Sequence, residues 1–324
     1  VIHYRPFRNS DPPALAEIWR SQEPLHRLAQ PMSAALWEQF ILAKTYFDAE
    51  GLIVATDGAR PIGFVHAGFG PTEHGDQLDR SHGVVCRLQV GPHEDRPVVM
   101  TELLSAAEHY LSQRGAHDAT AGNLDPLGPF YLGMYGSALQ VGVLKSDPAQ
   151  LGFFREHDYE SRGERIVLQK SLSGYRCPVN RDQMQHRRAF EVSGASDPLG
   201  QTWWEACTTS HLDRDSFQLT AKCNGQVVAA AVTAHLQSLG QAWGVQAAGF
   251  ESVTALSEAW QNGAALLLVA EAMKALQCQG VMLFEAVVDD LNSPLARVLV
   301  SLGFCEVDRG VVLKKILPAA HADA

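Results

Sequence analysis

"AWQNGAALLLVAEAMKALQCQG", residues 259–280, is the stretch on which the fold turns. Its Ala- and Leu-rich run reads as a helix, because both residues lose little on entering one. Gly280 stands where a helix C-terminus favours glycine. The start allows two readings. Small residues at Gly263, Ala264 and Ala265 let a backbone come close to an anion, and a helix N-terminus offers it unpaired N–H groups. Alternatively, Asn262 caps an ordinary core helix. The surrounding sequence has to decide.

That sequence is duplicated. Ahead of the helix, "FQLTAKCNGQVVAAAVTAHL" (217–236) alternates around an Asn-Gly turn and reads as a β-hairpin. "LIVATDGARPIGFVHAGF" (52–69) does the same around Asp57-Gly58. A strand-like segment follows each hairpin, "AWGVQAAGF" (242–250) and "GVVCRLQV" (83–90), and then a helix, 263–280 and 98–115. Val167, Leu168 and Lys170 recur as Val312, Leu313 and Lys315 in two segments that each read as a short strand closing a unit. The chain is therefore two copies of one α/β (α+β) unit. The first spans 1–172, a Ser-, Gly- and Pro-rich linker 173–182, and the second 183–324. The first copy carries an aromatic, Gly-rich insertion (124–147), and "RDQMQHRR" (181–188) reads as a solvated basic face.

Composition narrows the function. The 324 residues carry a net charge of −10, against nucleic acid or an anionic membrane as the main partner. The longest apolar run, "GAALLLVA", is too short to cross a bilayer, and the opening "VIHYRPFRNSDPP" has no apolar signal core, so a cytoplasmic protein is expected. Six scattered cysteines form no CxxC pair, so no metal site is expected.

Strand, helix, hairpin, strand, helix, strand, helix, strand: this order resembles the GNAT superfamily of N-acetyltransferases, in tandem as in mycothiol-synthase-like proteins. The resemblance implies a mixed, mostly antiparallel central sheet flanked by helices in each copy. It also implies acetyl-CoA (or CoA) as co-substrate and a small-molecule or peptide amine as acceptor, in a monomer or homodimer. In that family a Gln/Arg-x-x-Gly-x-Gly/Ala loop binds the cofactor's pyrophosphate. "WQNGAA" places Trp260, Gln261, Asn262, Gly263, Ala264 and Ala265 on it, with Trp260 where Gln or Arg is usual. The first copy offers "DRPVVM" (95–100), where Val98 and Met100 replace the small residues and Asp95 would repel phosphate. The second copy is thus the expected cofactor site, the first a shaping partner. Asn292 matches an Asn that often meets the pantetheine arm, or it caps the helix that follows.

Acetyl transfer needs a base for the amine. Glu251, after the second copy's central strand, and Glu285, within "VMLFEAVV", lead the candidates; Asp289, Asp290 and His211 follow. The family's usual proton donor to the leaving thiolate is a Tyr, replaced by Leu299 and Phe154 in the two copies. That substitution keeps a non-catalytic acyl-CoA-binding or scaffold role open. Tyr131 and Tyr135 could reach over an acceptor site, or pack on their own domain. Trp203 and Trp204 read as core or interface.

Overall fold

The structure is a computed structural model that describes residues 1–198, 200 and 202–318. The first copy runs β1 (Ile2–Pro6), α1 (Pro12–Arg20), α2 (Ala34–Trp37), β2 (Leu52–Asp57), β3 (Arg60–Pro71), β4 (Leu78–Val90), α3 (Arg96–Gln113), β5 (Asp118–Ala121), β6 (Val143–Leu144), α4 (Pro148–Glu156) and β7 (Glu160–Ser171). The second runs α5 (Arg181–Ala189), β8 (Phe190–Ser196), α6 (Trp203–Thr209), β9 (Arg214–Ala221), β10 (Val227–His235), α7 (Gln237–Trp243), β11 (Ala247–Ala255), α8 (Ser257–Gln261), α9 (Ala264–Cys278), β12 (Leu283–Val288), α10 (Pro294–Ser301) and β13 (Cys305–Ile316).

Both hairpins form where the turn residues place them. Gly58 and Gly225 adopt φ of +57° and +73°, open to glycine at little cost. The strands join one sheet in the order β1-β2-β3-β4-β5-β13-β7-β12-β11-β10-β9-β8, mostly antiparallel, with β6 beside β13. Its two halves mirror each other. In the first, β4 and β5 pair in parallel from His82 with Asp118; in the second, β11 and β12 pair from Ala247 with Leu283, both 165 positions on. The closing strands are long, and they cross over. β7 pairs with β12 of the second copy, Leu168 opposite Ala286, while β13 pairs with β5 of the first, Leu313 opposite Ala121. Each copy is completed by the other's last strand.

Three large buried clusters follow from this layout. One side of the first copy packs α3 and α4 through Val99, Leu103, Leu104 and Phe154. The matching side of the second packs α9 and α10 through Leu268, Met273 and Leu299. A third cluster is shared: Trp19, Trp37, Tyr131 and Met134 of the first copy pack with Leu236, Leu239 and Ala247 of the second.

Some local readings change. "AWGVQAAGF" is not one strand: Trp243 ends α7, Gly244 caps it at φ +70°, and β11 begins at Ala247. "RDQMQHRR" is helix α5, which starts inside the expected linker and lies on α9, with Arg187 paired to Glu271. Tyr131 and Tyr135 do not reach over a cleft. Tyr131 is 2 % exposed, stacked on Trp19 at 5.7 Å, and the Tyr135 hydroxyl donates to Asp147 at 3.2 Å.

Two histidines set an acid limit on this packing. His66 is wholly buried against Phe130, and His211 is half-buried, its Nδ1 accepting from Lys44 Nζ at 2.9 Å. Burial holds both at about 3, and the Lys44 charge adds to it at His211. The unfolded chain takes up these protons near the ordinary pKa of ~6.5, while the folded chain does not until about 3. Their contribution is thus fully present above ~6.5 and falls as pH drops, by up to ~2.7 kcal/mol per pH unit for two protons. Denaturant titrations between pH 7 and 4 should show this fall, and His66→Leu should remove about half of it. An unchanged slope in that variant would rule His66 out as a cause.

Candidate functional site

The sheet splits in each copy where its parallel pair ends, and a β-bulge marks both places. In the first copy His66 faces Arg87 and Ala67 faces Val85, which leaves Cys86 unpaired. In the second, Val232 faces Ser252 and Thr233 faces Phe250, which leaves Glu251 unpaired. Cys86 and Glu251 again stand 165 positions apart. Bulges re-aim a side chain, and here the two copies aim different chemistry at the same point.

Glu251 is held and perturbed. Arg214, 6 % exposed, donates Nε to Glu251 Oε2 at 2.8 Å and its terminal nitrogen to Glu205 Oε1 at 2.5 Å. The Glu251 side chain is 10 % exposed, and its Oε1 is buried with no hydrogen-bond partner among the described residues. Desolvation raises its pKa above the usual carboxylate range; Arg214 opposes this, and Glu205 and Asp125 add to it. Asp125 comes from the first copy's insertion, next to Pro126, whose carbonyl accepts from Trp204 Nε1 at 3.0 Å. A buried carboxylate of raised proton affinity with one free oxygen is what a general base requires.

Beyond the split, the strand edges differ. In the first copy Gln150 Nε2 donates to the Leu88 carbonyl at 2.7 Å and Gln22 Nε2 to the Val90 carbonyl at 3.3 Å. In the second, Val253 and Ala255 hold the matching places, and no side chain of the described residues donates to their carbonyls. The α10 helix carries Leu295 and Ala296 where α4 carries Gln150. A groove of about 550 Å³ lies between α8, which follows β11, and α10, lined by Trp260, Gln261, Pro294, Arg297 and Val298. Arg297 is exposed and has no ion pair among the described residues.

The other expected site residues fall elsewhere. Gly263 sits at φ +81° as the N-cap of α9, and Asn262 Oδ1 accepts from the Ala264 N–H at 2.9 Å. Ala264 and Ala265 are 0 % and 1 % exposed, so their amides are not open to a phosphate. Gln183 and His186 of α5 reach the Gly263 and Asn262 carbonyls. The small residues let α9 enter the core and α5 lie across its start. Asn292 is exposed in a turn on Asp290, and the helix cap is the next residue, Ser293, which accepts from the Ala296 N–H.

Glu285 is sealed rather than poised. It is 0 % exposed and accepts from Arg27 at 2.8 Å, Ser137 at 2.7 Å and Gln169 at 2.8 Å. No amine reaches it in this arrangement, so its place does not suit the expected base. Asp289 is exposed and paired with Arg165, and Asp290 is exposed. His211 lies in the contact between copies, where Lys44 also caps α6 through the Cys207 and Thr208 carbonyls. Leu299 and Phe154 are core residues and can donate no proton. Arg214 and Asp125 were the residues that sequence reasoning missed. Nothing local marks their meeting with Glu251, which lies 37 positions from Arg214 and 126 from Asp125.

Among the described residues no cluster of His, Cys, Asp or Glu could hold a metal ion, and no helix is long and apolar enough to cross a membrane. No family model matches the sequence. No curated protein matches it either. Solved structures do match in fold. A glucosamine N-acetyltransferase region of a fungal multi-domain β-N-acetylglucosaminidase superposes with a TM-score of 0.71 at 17 % identity, over 97 % of this chain; the match spans only 38 % of that protein. A tandem GNAT protein from the clavulanic acid biosynthesis pathway gives 0.66 at 14 % identity, over 98 % of this chain and 99 % of that one. A GNAT protein from Sphaerobacter thermophilus gives 0.61 at 14 % identity, over 98 % and 96 %. This chain therefore has the GNAT acetyltransferase fold, in tandem.

Proposed function

We propose that the protein is an acetyl-CoA-dependent N-acetyltransferase with its reacting centre at Glu251, in a chain divided as 1–172, 173–182 and 183–324. The observation that carries this is the open edge of β11 beyond the Glu251 bulge, matched in the first copy by an edge its own glutamines occupy. An extended pantetheine arm carries two amides, and a free strand edge offers them backbone partners, as it would a peptide strand. Trp260 and Gln261 would flank the cofactor in the groove, and Arg297 would meet its phosphates. The amides of Ala264 and Ala265 take no part in this version of the site.

The chemistry is short. Glu251 Oε1 takes a proton from the acceptor amine while Arg214 keeps Oε2 engaged. The freed nitrogen lone pair bonds to the acyl carbon, and the carbon–sulfur bond breaks. The sulfur leaves as thiolate, an anion tolerable near neutral pH because a thiol's pKa is only ~8.5, and it takes up the surplus proton that the new amide nitrogen sheds, directly or through water. Asp125 and Glu205 beside Glu251 favour a small cationic amine as acceptor. The buried Leu299 favours a second reading, an acyl-CoA-binding member without turnover.

Isothermal titration should show acetyl-CoA binding that Arg297→Glu weakens by about 10- to 100-fold, the range of a lost charged hydrogen bond. Charge reversal at Arg297 is a cleaner probe than Gly263→Glu, which would strain the backbone at φ +81°. Absence of binding at high micromolar concentration would refute the cofactor assignment. Binding with no acetylation across a panel of amines would select the second reading.

A further inference from the structure

The first copy has its own groove, of about 640 Å³, between the loop after α1, the start of α3 and the length of α4. Arg87 opens into it and is 9 % exposed. Its guanidinium lies over the Tyr135 ring at 4.4 Å and the Trp19 ring at 5.4 Å. With the Gln89 amide turned to satisfy its neighbours, the Gln89 oxygen accepts from Arg87 Nε at 3.0 Å and from one terminal nitrogen at 3.1 Å. Among the described residues no carboxylate lies within 4 Å of it. A buried cation without a counter-charge is costly, and proteins seldom keep one. Two aromatic faces and one amide hold this guanidinium in place, and they leave the other terminal nitrogen for something else.

We propose that the first copy's groove binds a small organic oxyanion, a carboxylate or phosphate monoester, on Arg87. Arg96 stands exposed at the groove, where the positive end of the α3 dipole adds the same sign. The acids that also line it are Glu23, Glu156 and Asp147; Asp147 is already engaged, accepting from Tyr135 and from the Gln150 N–H at the start of α4. Phe153 and Met100 give the ligand an apolar wall. The anion is not acyl-CoA. Gln150 and Gln22 cover the strand edge that a pantetheine arm needs.

Phenyl phosphate, benzoate and inorganic phosphate are the probes, each in the millimolar range, read by calorimetric titration and by thermal shift of the whole chain. At least one should bind with 1:1 stoichiometry and raise Tm. Arg87→Met should abolish the effect. Gly152→Phe should abolish it too, and it should fold normally, since outside α4's own backbone nothing lies within 4 Å of a Cβ placed at that position. Binding that survives Gly152→Phe, or no binding by any probe, overturns the proposal. Coenzyme A and 3′-phosphoadenosine form the second arm. If either displaces phenyl phosphate in a Gly152→Phe-sensitive way, the site takes the CoA head and the assignment to a separate small anion is wrong. CoA binding unaffected by Gly152→Phe supports two distinct sites.

Discussion

Glu251→Gln is expected to lower kcat/KM for acetyl transfer by ~10²–10⁴-fold, the usual worth of a general base. The substitution keeps shape, and it keeps an oxygen for Arg214 to donate to. It removes only the group that can hold the amine's proton. The pH profile separates this role from a structural one. Burial raises the Glu251 pKa, so the carboxylate is lost as pH falls through a value above the ordinary ~4.3. The wild-type rate should show an acid limb in that higher range, and the limb should vanish in Glu251→Gln. A variant that loses rate but keeps the limb would assign the base to another group. Cys86 at the equivalent bulge predicts that the first copy contributes no turnover, so Cys86→Ser should leave the rate unchanged.

The sequence carried the duplication because periodicity and turn chemistry are local. Asp57-Gly58 and Asn224-Gly225 announce their hairpins, and α3 and α9 lie within two residues of their expected starts. The exchange of closing strands was not legible, since alternation tells which face a strand buries and not which neighbour it chooses. The pairing of Cys86 with Glu251 was within reach: the offset of 165 that sets "DRPVVM" against "WQNGAA", applied to "GVVCRLQV", lands Cys86 on it. Ala264 and Ala265 show the opposite case. Smallness suits close approach, but sequence cannot say whether a ligand or a helix such as α5 does the approaching. Glu285 shows why a lone carboxylate between apolar residues misleads. Its partner Arg27 lies 258 positions away, and only folding brings them together.

Glu285→Ala should therefore act on stability, by ~3–5 kcal/mol, the cost of breaking a buried ion pair from one side. Arg27 is 2 % exposed and also donates to the Gly136 carbonyl, so it cannot swing out to water when its partner goes. Ser137 and Gln169 lose their acceptor in the same step. These groups come from the loop after α1, the insertion and the crossed strand β7, all meeting on β12. The lock ties the first copy to the second, so its loss should lower Tm by about 10 °C. Arg27→Met should cost a similar amount, and the double variant should cost clearly less than both losses together, because the close Arg27–Glu285 pair is then lost once and Arg27 is not left with Asp308 alone, 3.8 Å from its Nε. Additive losses would mean that the two charges do not stabilise each other. A base at Glu285 predicts a different result, a rate loss with an altered acid limb and an unchanged Tm. The two readings therefore separate on one variant measured twice.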